Sequence, residues 1–117
     1  MAAVEPDLAA GKVTRGPASI LIRPVVHHDR TGFWLTNFVV QEDYRQQGIG
    51  TLFLKMIVDE VDRQHTNLWV DVIPAQTYMV KMYHSFGFIP EHDPFPSPAD
   101  YLGTVQLWRP PEGSVVS

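Results

Sequence analysis

Residues 34–63 read WLTNFVVQEDYRQQGIGTLFLKMIVDEVDR. The run Trp34 to Val40 is apolar and strand-like, and Gly48 to Arg63 is amphipathic. Between them stands Arg45-Gln46-Gln47-Gly48-Ile49-Gly50. A strand, a glycine-containing turn and a helix in that order build an anion site. The first amides of a helix lack intrahelical partners, and the helix dipole adds partial positive charge at the same end. Glycines let a phosphate approach the backbone, and Arg45 adds a full charge, which together suit a pyrophosphate. A tight turn with an ordinary helix start explains the same residues. The third glycine of the dinucleotide fingerprint is missing, since position 53 is Phe, and so is the Lys-Ser/Thr of a P-loop.

Working outward, Ile49, Leu52, Phe53, Met56, Ile57 and Val61 recur at helical spacing, with Lys55, Asp59, Asp62 and Arg63 on the other side. Upstream, Ser19–Val26 and Phe33–Val40 flank the turn-like HHDRTG and predict a hairpin. Pro24 marks the first of these strands as an edge or a bulge. Downstream, Asn67–Ile73 is nearly continuous in apolar residues, as expected of a strand covered on both faces. A short helix follows from Pro74-Ala75 to about Phe86, with Gly87 as its stop. Phe88 to Pro90 starts a short strand, residues 93–98 (DPFPSP) form a loop, and Tyr101–Trp108 alternates like a final strand. The order β-β-α-β-α-β predicts an α/β domain, helices on a mixed sheet, over residues 19–109. Residues 1–18 read as a flexible leader and 110–117 as a disordered tail.

Composition bounds the function. The 117 residues make one domain with a single core. Lys+Arg 9 against Asp+Glu 13 gives a formal net charge of -4. That speaks against a nucleic-acid partner, which needs a basic patch. The chain has no cysteine, which excludes disulfides, thiolate-bound zinc and a thiol nucleophile. No apolar run approaches the roughly 20 residues that span a bilayer, and the first residues lack the form of a signal peptide. A cytoplasmic protein with no membrane association is expected. The five histidines show no metal-ligand spacing, so no metal is expected. His27 and His28 are adjacent; on a strand they would point to opposite faces, and they are read as hairpin-turn residues.

The segment Val39 to Leu52 resembles the acetyl-CoA-binding signature of the GNAT N-acetyltransferases, Gln/Arg-x-x-Gly-x-Gly/Ala between an apolar strand and an amphipathic helix. Asp71 to Phe88 is similar to the second motif of that family: Tyr83, Gly87 and Phe88 match, while Gln76 stands for the usual Asn and Met79 for a small residue. The resemblance implies a GNAT-like fold that takes acetyl-CoA as acyl donor and passes the acetyl group directly to a primary amine. It implies that Arg45, Gln46, Gln47, Gly48, Ile49, Gly50 and Thr51 grip the pyrophosphate. Phe38, Val39 and Val40 would pair with the pantetheine arm in a gap opened beside Asn67–Ile73, with Gln76 near the cofactor. It further implies that Tyr83 protonates the departing thiolate.

A base is needed to deprotonate an ammonium acceptor. Asp71 is the candidate, an acid among apolar neighbours. A core tyrosine and a hydrogen-bonded structural acid explain Tyr83 and Asp71 equally simply. The family usually begins with a strand and two helices that wall the acceptor site, and 18 residues precede Ser19 here. Two functions therefore stay open, a minimal acetyltransferase and a non-catalytic acetyl-CoA-binding sensor or interaction module. Exposed edge strands and the apolar ending YLGTVQLW allow a homodimer that would supply the missing wall.

Overall fold

The computed structural model describes residues 6–44, 48–98 and 103–111. The strands are β1 (Lys12–Arg15), β2 (Ala18–His27), β3 (Arg30–Val40), β4 (Asn67–Val72), β5 (Ile89–Pro90) and β6 (Val105–Arg109). Helix α1 (Ile49–Arg63) joins β3 to β4, and α2 (Thr77–Ser85) follows β4. They form one mixed sheet in the order β1-β2-β3-β4-β6-β5. The expected elements are present within a few residues. Of the last strand as read from the sequence, Tyr101 and Leu102 lie outside the described residues, and of the tail only Pro110 and Pro111 lie inside.

The expected leader is corrected. The segment read as a flexible leader contributes β1, which pairs antiparallel with Ala18–Leu21. Its Leu8 and Val13 lie in the core. The turn into β2 is Gly16-Pro17, with Gly16 at φ 53. Glycine at the first central position with proline's fixed negative φ behind it matches a type II′ hairpin. A strand this short carries too little alternation to read as a period.

The β2–β3 hairpin closes over His28 and Asp29, both with positive φ (50 and 66), as in a type I′ turn. β1 covers β2 only as far as Leu21, so Pro24 lies where β2 is a free edge and its missing N–H costs nothing.

One face of the sheet packs on α1. Ile20, Ile22, Leu35, Leu68, Val70, Val72 and Leu107 meet Phe53, Leu54, Ile57, Val58 and Val61. Each such side chain contributes roughly 1.5–3 kcal/mol on burial. The helix stripe is rotated from the expected one, because Leu54 and Val58 are buried while Leu52 is 68% exposed. Helix α2 ends as expected at Gly87, φ 91. Phe88 N–H donates to Tyr83 C=O and Gly87 N–H to His84 C=O, the paired bonds of a Schellman motif. Arg109 fastens that end to α1. Its Nε donates to Phe86 C=O at 2.6 Å and its Nη1 to Asp62 at 2.6 Å.

Candidate active site

The site begins where the central pair of strands parts. β3 and β4 run parallel but pair only from Gly32↔Asn67 to Leu35↔Val70. β3 continues to Val40 along β2, and Asp71 and Val72 continue along β6. Both ends of this wedge have a local cause. At the closed end Gly32 lies against the Asn67 backbone, the Asn67 amide donates to Thr31 C=O at 2.9 Å, and the Trp108 indole donates to Asn67 Oδ1 at 2.9 Å. At the open end the β2–β3 register slips between Ser19 and Leu21, and Asn37 takes φ 53. That bulge bends β3.

The first turn of α1 faces this opening. Gly48 caps the helix at φ 77, with open space where a β carbon would be. A β carbon on Gly50 would touch the Phe38 ring at 3.4 Å and Val40 at 3.5 Å, so this residue seats the helix start on β3. Phe38 stacks edge-on against Phe53 at 5.8 Å. Thr51 Oγ1 reaches Met82 Sδ at 3.7 Å, which ties the helix start to α2 beside Tyr83. The structure thus brings Phe38, Val40, Gly48, Ile49, Gly50 and Thr51 to one end of the wedge. Val39 is exposed on the same stretch. Arg45, Gln46 and Gln47 lie outside the described residues. Gln76 caps α2 with its backbone carbonyl, which accepts from Met79 and Val80, and its side chain is exposed.

Tyr83 is 1% exposed and packs edge-on against Phe88. Burial, and after it the neighbouring Tyr78, pushes its phenol well above the ordinary value. The hydroxyl therefore stays protonated through neutral pH and is a donor, not a base. Asp71 is the first β4 residue past the ladder with β3. Its Oδ1 accepts from Gln106 Nε2 at 3.1 Å, and its Oδ2 is buried without a hydrogen-bond partner. It lines a cavity of about 520 Å³ together with His84, Glu91, Phe95 and Gln106.

Reading the sequence residue by residue missed Arg30, Glu91, Phe95 and Gln106. Glu91 is an inward carboxylate, 3% exposed, that takes the Trp69 indole N–H at 2.9 Å and Arg30 at 3.0 Å. Burial raises its pKa, but the Trp69, Arg30 and Asp93 contacts outweigh that and leave it below the ordinary value. The Arg30 guanidinium also lies 4.3 Å from the Trp108 ring. Phe95, from the proline-rich loop, packs edge-on over Trp34 and Trp69. Nothing in local spacing signals these partners, which come from distant parts of the chain.

The histidine pair lies at the hairpin turn, as read from HHDRTG. The left-handed backbone at His28 turns its ring to the same side as that of His27, and the ring centroids are 4.3 Å apart. Both reach Asp93, at the opposite end of β3 from the glycine turn.

A parted parallel pair with a glycine-opened helix start at its mouth is the architecture the sequence motifs pointed to. The sequence profile of the acetyltransferase (GNAT) domain matches residues 25–97. This chain belongs to the GNAT family. The bS18-alanine N-acetyltransferase of Escherichia coli K12 is 32% identical over 72 residues, 61% of this chain and 47% of that enzyme. The chain thus spans about half the length of the curated relatives it matches. The fold is similar to a subunit in the crystal structure of the NatC complex bound to Gag peptide and CoA, at TM-score 0.67 and 20% identity over 90% of this chain and 67% of that one. It is also similar to the ribosomal-protein-S18-alanine N-acetyltransferase of E. coli, at TM-score 0.60 and 21% identity over 86% and 67%. These likenesses establish the GNAT-like mixed-sheet fold.

Proposed function

We propose that this chain is an acetyl-CoA-dependent N-acetyltransferase that passes the acetyl group directly to a primary amine of a peptide or protein. The observation that carries this reading is the wedge between β3 and β4 opening onto the Gly48–Thr51 helix start. The fit to acetyl-CoA rests on features of the chain itself. The space beside Gly48 admits an anion to the first α1 amides, and the β3 stretch from Phe38 to Val40 has left its ladder with β4. Gly48, Ile49, Gly50 and Thr51, with Arg45, Gln46 and Gln47, would hold the pyrophosphate. Phe38, Val39 and Val40 would hold the pantetheine arm, with Gln76 beside it. When bound, acetyl-CoA supplies a thioester open to attack by an amine, so the lack of cysteine is no obstacle.

Asp71 takes the role of base. Its free Oδ2 can accept a proton from an ammonium group in the cavity it lines, while Gln106 fixes the other oxygen. Tyr83, held protonated by burial, takes the role of acid toward the thiolate. A peptide or protein acceptor is supported by what similar proteins are named for, an alanine of ribosomal protein bS18 and a complex solved with a Gag peptide.

A cytoplasmic setting without nucleic acid belongs to this reading, as does a homodimer built along the open β2 edge, where Val26 is exposed. Among the described residues no helix is long and apolar enough to cross a membrane. The deciding experiment follows thiol release from acetyl-CoA against peptides with different free N-termini. Acceptor-dependent release supports the transferase. Tight acetyl-CoA binding with no release for any amine would instead establish the binding module.

A further inference from the structure

Beyond the closed end of the wedge, the tip of the β2–β3 hairpin gathers a second constellation. His27 Nε2 lies 2.5 Å from the Asp93 carbonyl oxygen, and His28 Nε2 pairs with Asp93 Oδ2. One ligand atom from each of His27, His28 and Asp93 falls within 4.8 Å of the others. The convergence has a backbone cause. His28 and Asp29 both take left-handed φ, which swings two consecutive imidazoles to one side instead of opposite faces. Asp93 arrives from the loop after β5, whose base Glu91 anchors through Arg30 and Trp69.

Imidazole nitrogen and carboxylate oxygen are the donors that zinc and its neighbours prefer, and two His with one carboxylate leave coordination positions for water. We propose that His27, His28 and Asp93 bind a divalent transition-metal ion of the zinc class as an open three-ligand site. The site stands at the other end of β3 from the glycine turn, about 30 Å away at strand rise. The Phe95 ring packs on His27 at 5.1 Å and on Trp34 at 5.2 Å. A metal there would clip the loop that carries Phe95 to the hairpin.

The test uses the full chain without a histidine tag. Zn²⁺ binding is measured by calorimetry and Co²⁺ binding by its visible absorption, with thermal unfolding as a third readout. The expected result is one ion per chain and a Tm that rises with Zn²⁺. Asp93→Asn, and His28→Asn, which keeps a residue tolerant of the left-handed turn, should each weaken binding at least about tenfold. His65→Ala, at the end of α1, should bind as the parent does. Absence of one-to-one binding overturns the proposal, as does binding that survives in the His28→Asn/Asp93→Asn pair. Equal loss in His65→Ala would also overturn it, because the ion would then sit elsewhere. Circular dichroism without metal verifies that each variant is folded.

Discussion

A β carbon built on Gly32 would stand 2.1 Å from the carbonyl oxygen of Asn67, so the two backbones meet with no room for a side chain. This contact is the vertex of the wedge. β3 and β4 are drawn together here, and the bulge at Asn37 leads β3 away further along. Gly32→Ala should force the strands apart at the vertex. The expected cost is about 1–3 kcal/mol, as for other overpacked sites, read as a lower denaturant midpoint with an unchanged m-value. Wild-type stability in this variant would mean that the close approach is not what holds the pair.

Gly48 serves at φ 77 beside open space. Gly48→Ala should cost about 1–2 kcal/mol from the left-handed backbone alone. Gly48→Glu adds a negative charge where the pyrophosphate would lie. Acetyl-CoA affinity, measured by calorimetry, should fall modestly in the first variant and beyond detection in the second. Equal affinity in the two would move the phosphate site away from this turn.

Tyr83→Phe removes one hydroxyl from a buried ring. It should lower kcat by about a hundredfold, within the usual range for general acid catalysis, with little change in acetyl-CoA affinity. Asp71→Asn should lower kcat similarly. Unchanged kcat in either variant takes that residue out of the chemistry.

The Glu91 carboxyl titrates below its ordinary value in the folded protein. The unfolded chain therefore binds the proton more readily, and stability rises with pH across that window. The stabilisation is complete above about pH 4.5, the ordinary glutamate range, and is lost as pH falls through the folded value. Glu91→Gln should flatten this acid limb in pH-dependent unfolding. Glu91→Ala should cost about 3 kcal/mol at neutral pH, the low end for a broken buried pair, since Arg30 keeps 25% of its side chain exposed.

What the sequence discloses tracks the range over which each signal acts. The hairpin, α1, the Gly48 helix start and the Gly87 stop are written in neighbouring residues and in periods of two or 3.6, and all are present. The parting of β3 from β4 was legible only through the family resemblance, because a ladder's end depends on two distant segments. β1 was missed because its support is Leu8 and Val13 packing into a core built elsewhere. The bond from Gln106 to Asp71, separated by 35 positions, leaves no local trace. The histidines read as turn residues, and His28 is one. That the left-handed turn gathers both rings on Asp93 is set by a loop 65 positions away and leaves no local trace.

Gln106 divides its amide between two masters. Its Nε2 donates to Asp71, while its Oε1 accepts the Phe95 backbone N–H at 3.2 Å. The loop and the carboxylate are therefore geared to one side chain. A swing of the loop that opens the cavity would also loosen the carboxylate's grip, so admitting an acceptor and readying the base would be one motion instead of two.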